Sequence, residues 1–236
     1  MLFRSIQFGL MNRGQFPVGG DDAQHWREML EQVRWAEKMG FNSIMKGSHY
    51  TTHPLSEFQQ VPFLSRIMDE APSLRLIAGV VLLPLHKPLD IAEQFANIDV
   101  LSGGRLDVGV GSGYQHYEFE RLGADISQNK LAFNEMLDMI QLGLSQASFS
   151  YKGEFFEQLQ TAINVRPVQK PHPPIWIAGA DPNSHRRCAR DGYIPFISGG
   201  IDGPERIKRM RDQVEECYVL EGKDPATIPL GVLRFV

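Results

Sequence analysis

The chain has 236 residues, of which 42% are hydrophobic and 22% charged, a balance typical of a soluble globular protein rather than a disordered one. Its formal net charge of −4 leaves no basic surplus, which argues against nucleic acid as a partner. No apolar stretch approaches the roughly 18 residues of a membrane span, and the first residues lack a signal-peptide pattern, so we expect a cytoplasmic protein without a membrane partner.

Short apolar runs and segments of helical period alternate along the first half of the chain. Asp21 or Asp22 is expected to cap the first helix, and Gly40 to end it. The predicted strands are 5–11, 41–46, 74–83 and 106–110, and the predicted helices are 23–38, 57–70 and 89–102.

The second half continues the alternation after one interruption. A helix is predicted over 130–146, followed by the segment 148–174, which has aromatic residues but little helical period. We expect this segment to lie outside the main body as an excursion that contains a short hairpin. The remaining predictions are strands at 175–179, 193–198 and 228–236, with helices at 183–191 and 204–221.

Seven strands with helices between them predict a parallel α/β protein. A TIM (β/α)8-type barrel fits better than a doubly wound sheet, because no GxGxxG follows the first strand. We expect a single barrel domain over 1–236, apparently truncated after strand 7. An open barrel would leave two apolar edges, so the chain is expected to be a fragment of a longer protein, or else a contracted barrel.

The segment from Leu101 to Tyr114, LSGGRLDVGVGSGY, is the most informative part of the sequence. Gly103 and Gly104 suit a helix end, and the strand LDVGVG opens into a glycine loop. Small residues at the carboxyl end of a strand let a flat ligand approach the backbone. The segment therefore predicts the edge of a binding site.

Two longer stretches carry a family resemblance. Pro84 to Gly123, with its AEQFANIDVLSGGRLDVGVGSGY core, and Ala178 to Gly192 (AGADPNSHRRCARDG) resemble the bacterial luciferase-like flavin-dependent oxidoreductases. The resemblance implies a TIM barrel whose site lies at the carboxyl ends of the strands.

The family includes FMN-dependent monooxygenases and enzymes dependent on the deazaflavin F420. The resemblance implies an oxidoreductase. The first hypothesis is a monooxygenase that uses reduced FMN and O2 on a small organic substrate. An F420-dependent hydride-transfer enzyme and a non-catalytic flavin-binding remnant are the alternatives. A separate flavin reductase and a homodimer are the protein partners that the family suggests.

His49 follows the second predicted strand, where the family has an acidic residue before a histidine; Ser48 takes the acidic position here. The resemblance implies that His49 hydrogen-bonds the flavin or acts as a base, for which imidazole is suited near neutral pH. The alternative is an ordinary histidine of a surface loop.

The resemblance also assigns cofactor contacts after the third and fourth strands. It implies a non-proline cis peptide at Gly79-Val80 behind the flavin ring, the alternative being a plain strand with one glycine. Many relatives have an arginine for the cofactor phosphate where this chain has Ser112, which supplies no charge. Gly111 and Gly113 would shape the loop, and Tyr114 would contact the flavin edge or, alternatively, cap the core.

The last predicted contacts follow the fifth strand. Gly179, Ala180, Asn183 and Ser184 would hold the cofactor phosphate with main-chain N–H groups at a helix N-terminus, although Asn183 or Ser184 could be only an N-cap. Asp181 is expected to point away from that phosphate. We expect no metal site, because neither the histidines nor the two cysteines have ligand spacing.

Overall fold

The computed structural model describes residues 6–200 and 202–234. It divides into two compact units: Met1–Val108 with Ser112–Pro173, and Gly109–Gly111 with Pro174–Val236. Each unit is described by itself.

The first unit contains most of the helices. Its strands are β1 (Gly9–Asn12), β2 (Gln15–Pro17), β3 (Ser43–Lys46), β4 (Leu55–Glu57), β5 (Arg75–Leu82), β6 (Leu106–Gly111, whose last three residues belong to the second unit), β7 (Phe149–Lys152) and β8 (Glu157–Thr161). Its helices are α1 (Asp22–Lys38), α2 (Gln60–Ile67), α3 (Pro88–Leu101), α4 (His116–Leu122) and α5 (Asn129–Ser145).

Helix α1 shows how local sequence sets an element. The Asp21 carboxylate accepts from the N–H groups of Ala23 and Gln24, which satisfies two of the unpaired donors at the helix start. One apolar face is buried, and it consists of Met29, Leu30, Val33 and Ala36. The chain leaves the helix through Gly40, whose φ is +76°.

Strands β1, β3 and β5 pair in parallel, and six of the eight residues of β5 are buried. Every residue of β6 is buried. Burial on both faces is the usual state of a parallel sheet covered by helices, and it explains why these strands are nearly continuous apolar runs. Two antiparallel pairs lie apart from this sheet, β2 with β4 and β7 with β8.

The second unit contains β9 (Ile175–Ala178), α6 (Pro182–Asp191), β10 (Ile194–Ser198), α7 (Gly203–Leu220) and β11 (Gly231–Leu233). Its three strands pair in parallel in the order β9, β10, β11. The seven-stranded sheet has the order β1, β3, β5, β6, β9, β10, β11, which is the chain order expected of the TIM-barrel type.

All seven strands predicted for the parallel sheet are confirmed, with boundaries shifted by a few residues. The hairpin predicted within 148–174 is confirmed as β7 and β8. The predicted helix 57–70 is shorter, because residue 57 belongs to β4, which pairs with β2. The sequence pattern predicted neither this strand pair nor helix α4. Ser5, Phe235 and Val236 of the predicted strands lie outside the described residues.

Among the described residues, no helix is long and apolar enough to cross a membrane. The single-domain organisation over 1–236 stays a prediction.

Candidate functional site

His49 lies in the loop that follows β3, and its backbone is held on both sides. Its N–H donates to Glu57 Oε2 at 3.0 Å, and its carbonyl accepts from Gln59 Nε2, also at 3.0 Å. The neighbouring Ser48, in the position of the family's acidic residue, is buried and donates through Oγ to Gln59. Residues from the segment before α2 therefore fix the loop that presents the imidazole.

The imidazole of His49 pairs with a buried carboxylate. Its Nδ1 lies 3.2 Å from both Oε1 and Oε2 of Glu118, in the first turn of α4. The His49 side chain is 13% exposed, whereas that of Glu118 is 0% exposed. Glu118 Oε1 also accepts from the main-chain N–H of Tyr50 at 2.7 Å. This carboxylate was missed in the sequence analysis, although it lies in the Pro84–Gly123 match.

Tyr114 is brought next to His49. The two rings meet edge to face with their centroids 6.1 Å apart. Tyr114 is 67% exposed, so the alternative of a core-capping aromatic is wrong. An exposed aromatic ring beside a mostly buried imidazole offers one ring edge and one hydroxyl to a ligand.

Gly79 and Gly113, which were predicted to lie near a cofactor, are closely packed by neighbouring side chains. The Gly79-Val80 peptide is cis, as predicted, and the Val80 carbonyl accepts from Gln60 Nε2 at 3.1 Å. Gly113 has a φ of +82°, and a Cβ there would lie 2.7 Å from the Phe119 ring. The roles of these residues toward a cofactor stay predictions.

A second aromatic pair stands beside the His49 loop. The hydroxyl of Tyr50 lies 2.8 Å from Nε2 of His86, which follows β5. Burial, assisted by the charge of Glu118, raises the pKa of Tyr50 to about 12, and burial lowers the pKa of His86. Both groups are therefore neutral near pH 7, and the side chain of His86 is held by the hydroxyl of Tyr50.

Lys46, the last residue of β3, is completely buried. Its Nζ donates to the carbonyls of Arg13 and Gly47, each at 2.6 Å. Burial lowers the pKa of this ammonium to about 8, and the charge of Glu57 opposes that shift. Lys46 therefore fastens the loops after β1 and β3 from within the protein, and sequence analysis gave no signal for it.

In the second unit, the turn between β9 and α6 contains the residues predicted to bind phosphate. Gly179 has a φ of +133°, and a Cβ there would meet no atom within 4 Å, so the turn borders open space. Gly179, Ala180 and Asn183 are exposed and Ser184 is half-buried.

Asp181 turns toward the start of α6, and its orientation relative to a cofactor phosphate stays a prediction. Its carboxylate accepts from Asn183 N at 3.0 Å and is the N-cap of α6, so neither Asn183 nor Ser184 has that role. An aspartate suits this position because its carboxylate combines a hydrogen bond with a favourable charge at the positive end of the helix dipole. It also uses one N–H group that was predicted for phosphate.

The imidazole of His185 forms a hydrogen bond with the same turn. Its Nε2 lies 3.0 Å from the Gly179 carbonyl, and its Nδ1 lies 3.1 Å from Gln213 Nε2. A carbonyl oxygen only accepts and an amide nitrogen only donates, so Nε2 carries the proton and Nδ1 accepts. Burial lowers the pKa of His185 and keeps the imidazole neutral.

The groups around His49 suit the ring system of a flavin-type cofactor better than its phosphate. His49, Tyr114 and exposed backbone can contact a neutral ring system, while Ser112 offers a phosphate no positive charge. Gly111 is buried at the end of β6, in the second unit. No cluster of three or more metal-ligating side chains occurs in the described parts of the chain.

Comparisons with known proteins identify the family of the chain. The family model of the luciferase-like monooxygenases matches residues 6–236. The oxygenase component of the flavin-dependent trigonelline monooxygenase of Acinetobacter baylyi is 32% identical over 191 residues, which are 79% of this chain and 52% of that protein. The chain spans less than two thirds of the length of three curated relatives that it matches.

Two solved structures show the same fold. The oxygenating constituent of 3,6-diketocamphane monooxygenase from Pseudomonas putida, in complex with FMN, has a TM-score of 0.80 at 16% identity, covering 97% of this chain and 66% of that one. An F420-dependent secondary alcohol dehydrogenase with an F420-acetone adduct has a TM-score of 0.79 at 18% identity, covering 96% of this chain and 68% of that one. The chain belongs to the luciferase-like monooxygenase family.

Proposed function

We propose that the protein is a flavin-dependent oxidoreductase, specifically a monooxygenase that uses reduced FMN and O2 on a small organic substrate. The observation that carries the proposal is the His49 imidazole, paired through Nδ1 with the buried Glu118 and flanked by the exposed ring of Tyr114. The named activity of the trigonelline monooxygenase component supports the same reaction class.

The bound flavin would supply the redox chemistry, and the protein would supply binding and orientation. His49 would hold or move a proton at Nε2, because Nδ1 faces Glu118. Tyr114 would orient the ligand through its ring edge and hydroxyl. For the second unit taken by itself, we propose that the main-chain N–H groups near Gly179 and Ser184 can bind a phosphate group.

An F420-dependent hydride-transfer enzyme is the second candidate. It is favoured by Ser112, because the position at which many relatives place an arginine for the FMN phosphate carries no charge here. The F420-dependent neighbour supports this candidate at the level of the fold.

Titration of the purified chain with FMN and with F420, followed by fluorescence quenching, separates the two candidates. Binding of FMN without F420 supports the first, and binding of F420 without FMN replaces it by the second. Failure to bind either cofactor overturns both. Binding of FMN without turnover, when reduced flavin and O2 are supplied, would make the chain a flavin-binding remnant.

The partners and the location of the protein are proposals too. A monooxygenase of this kind would receive reduced FMN from a separate flavin reductase and would act in the cytoplasm. We also propose a homodimer, which sedimentation of the purified chain tests directly.

A further inference from the structure

We infer that Glu118 is the positioning residue that fixes the tautomer of His49, with the proton on Nδ1 and the lone pair on Nε2. The inference deepens the proposed function and its catalytic meaning rests on it, but the tautomer itself is a property of the protein without any cofactor.

Glu118 lies in the first turn of α4 and is buried. Its carboxylate is completely inside the protein, and a buried carboxylate stays ionised only if hydrogen bonds and charges compensate for lost solvation. Within the described residues, no lysine or arginine lies within 4 Å of it. Its compensation comes from the Tyr50 N–H at 2.7 Å and from His49 Nδ1 at 3.2 Å from both oxygens.

The chemistry of these groups then fixes the proton. An ionised carboxylate only accepts hydrogen bonds, so Nδ1 of His49 must donate. A neutral imidazole has one N–H, which leaves Nε2 as the acceptor. The nitrogen that is not engaged by Glu118 is therefore the one with basic character, as a general base requires.

One substitution reverses this arrangement without changing the shape of the side chain. In Glu118→Gln, the amide oxygen takes the Oε1 position and accepts from the Tyr50 N–H, which places the NH2 group at the Oε2 position, also 3.2 Å from Nδ1. Because the NH2 group only donates and the amide oxygen is weaker as an acceptor than a carboxylate, we expect Nδ1 to accept from the NH2 group and the proton to move to Nε2. The variant is expected to keep the fold and to invert the tautomer.

Glu57→Gln is the matched control. Glu57 accepts from the main-chain N–H of His49 at 3.0 Å but is not bonded to its imidazole. Its other oxygen accepts from the Gln15 amide, which can turn around to suit a glutamine partner. This variant removes a carboxylate that contacts the same loop, and it should leave the tautomer of His49 unchanged.

The test is ¹⁵N NMR of the histidine side chains in the cofactor-free protein above pH 8, with the His49 signals assigned by their loss in His49→Gln. We expect the Nδ1–H tautomer in the wild type and in Glu57→Gln, and the Nε2–H tautomer in Glu118→Gln. An Nε2–H wild type, or an unchanged tautomer in Glu118→Gln, overturns the inference. If Glu118→Gln does not fold, the wild-type spectrum decides alone.

The catalytic consequence is measured separately. With cofactor bound, Glu118→Gln should lower kcat about 100-fold, the scale of a lost general base, while leaving KM within a few-fold of the wild type. If neither flavin nor F420 binds, the proposed function fails while the tautomer result stands. If a cofactor binds and kcat is unchanged, the positioning role fails while the proposed function stands.

Discussion

The guanidinium of Arg105 donates to the main-chain carbonyl of Ala71, at 2.8 Å and across 34 residues of sequence. It also donates to the carbonyls of Met68 and Leu74, each at 2.8 Å, and to that of Ser102 at 2.9 Å. One side chain thus links the segment that follows α2 to the end of α3. Arg105 lies in the segment that carries the family resemblance, but its contacts are those of a structural residue.

Arg105→Ala should lower the free energy of unfolding by about 3 kcal/mol or more, because it leaves several carbonyls near the interior without a charged donor. Urea denaturation of the two proteins gives the difference. Arg66→Ala is the control, since it removes an exposed ion pair with Glu70 and should cost less than about 1 kcal/mol. Equal losses in the two variants would show that Arg105 has no special role.

The segment from Leu101 to Tyr114 shows how far sequence alone could reach. Its helix end, strand and glycine loop follow from residue type and periodicity, which are local properties. The functions of individual polar residues within it are not local. The structure places Arg105 against distant carbonyls and Asp107 against Arg75, and residue type alone indicates neither contact.

The same limit explains what was missed at the candidate site. His49 could be found because a histidine at a strand end matches a known family pattern. Its partner Glu118 is 69 residues away in a short helix that the periodicity analysis did not detect. Seven residues give too few turns for a period to stand out, and no sequence rule pairs a carboxylate with one of seven histidines.

Gly113→Ala tests the packing under the candidate site. The substitution places a Cβ 2.7 Å from the Phe119 ring and also enforces a positive φ, which costs an ordinary residue about 1–2 kcal/mol. Gly123→Ala is a matched control, because Gly123 has a φ of +70° and open space around its Cβ position. We expect Gly113→Ala to lose at least about 1 kcal/mol more than the control in thermal or urea unfolding, owing to the overlap.

Similar losses in both variants would mean that Phe119 moves aside without cost. In that case α4, which carries Glu118, would be less firmly held than its burial indicates.

Acid should weaken the turn between β9 and α6 through His185. Burial lowers the pKa of His185 in the folded protein, so the unfolded chain binds more protons as the pH falls through its ordinary pKa of about 6.5. The stability contributed by the neutral imidazole is therefore complete above that pH and is lost below it, toward the folded pKa. His86 contributes with the same sign.

His185→Gln should flatten the dependence of unfolding free energy on pH between about 7 and 5 without abolishing it, since His86 remains. Urea titrations at several pH values measure both slopes. An equally steep slope of unfolding free energy against pH in the variant would show that His185 does not contribute to acid sensitivity.

Substitutions at Ser112 test whether this residue lies beside the phosphate of bound FMN. If FMN binds with its phosphate beside this residue, Ser112→Arg restores a cationic partner and should tighten FMN binding about tenfold, equivalent to about 1.4 kcal/mol. Riboflavin has the same ring and no phosphate, so its affinity should not change. Ser112→Gln supplies length and hydrogen bonding without charge and should leave both affinities near the wild-type values.

Dissociation constants from fluorescence quenching at constant ionic strength compare the three proteins. If Ser112→Arg tightens riboflavin as much as FMN, or tightens neither, the residue does not lie beside the phosphate, and the absence of an arginine no longer favours F420.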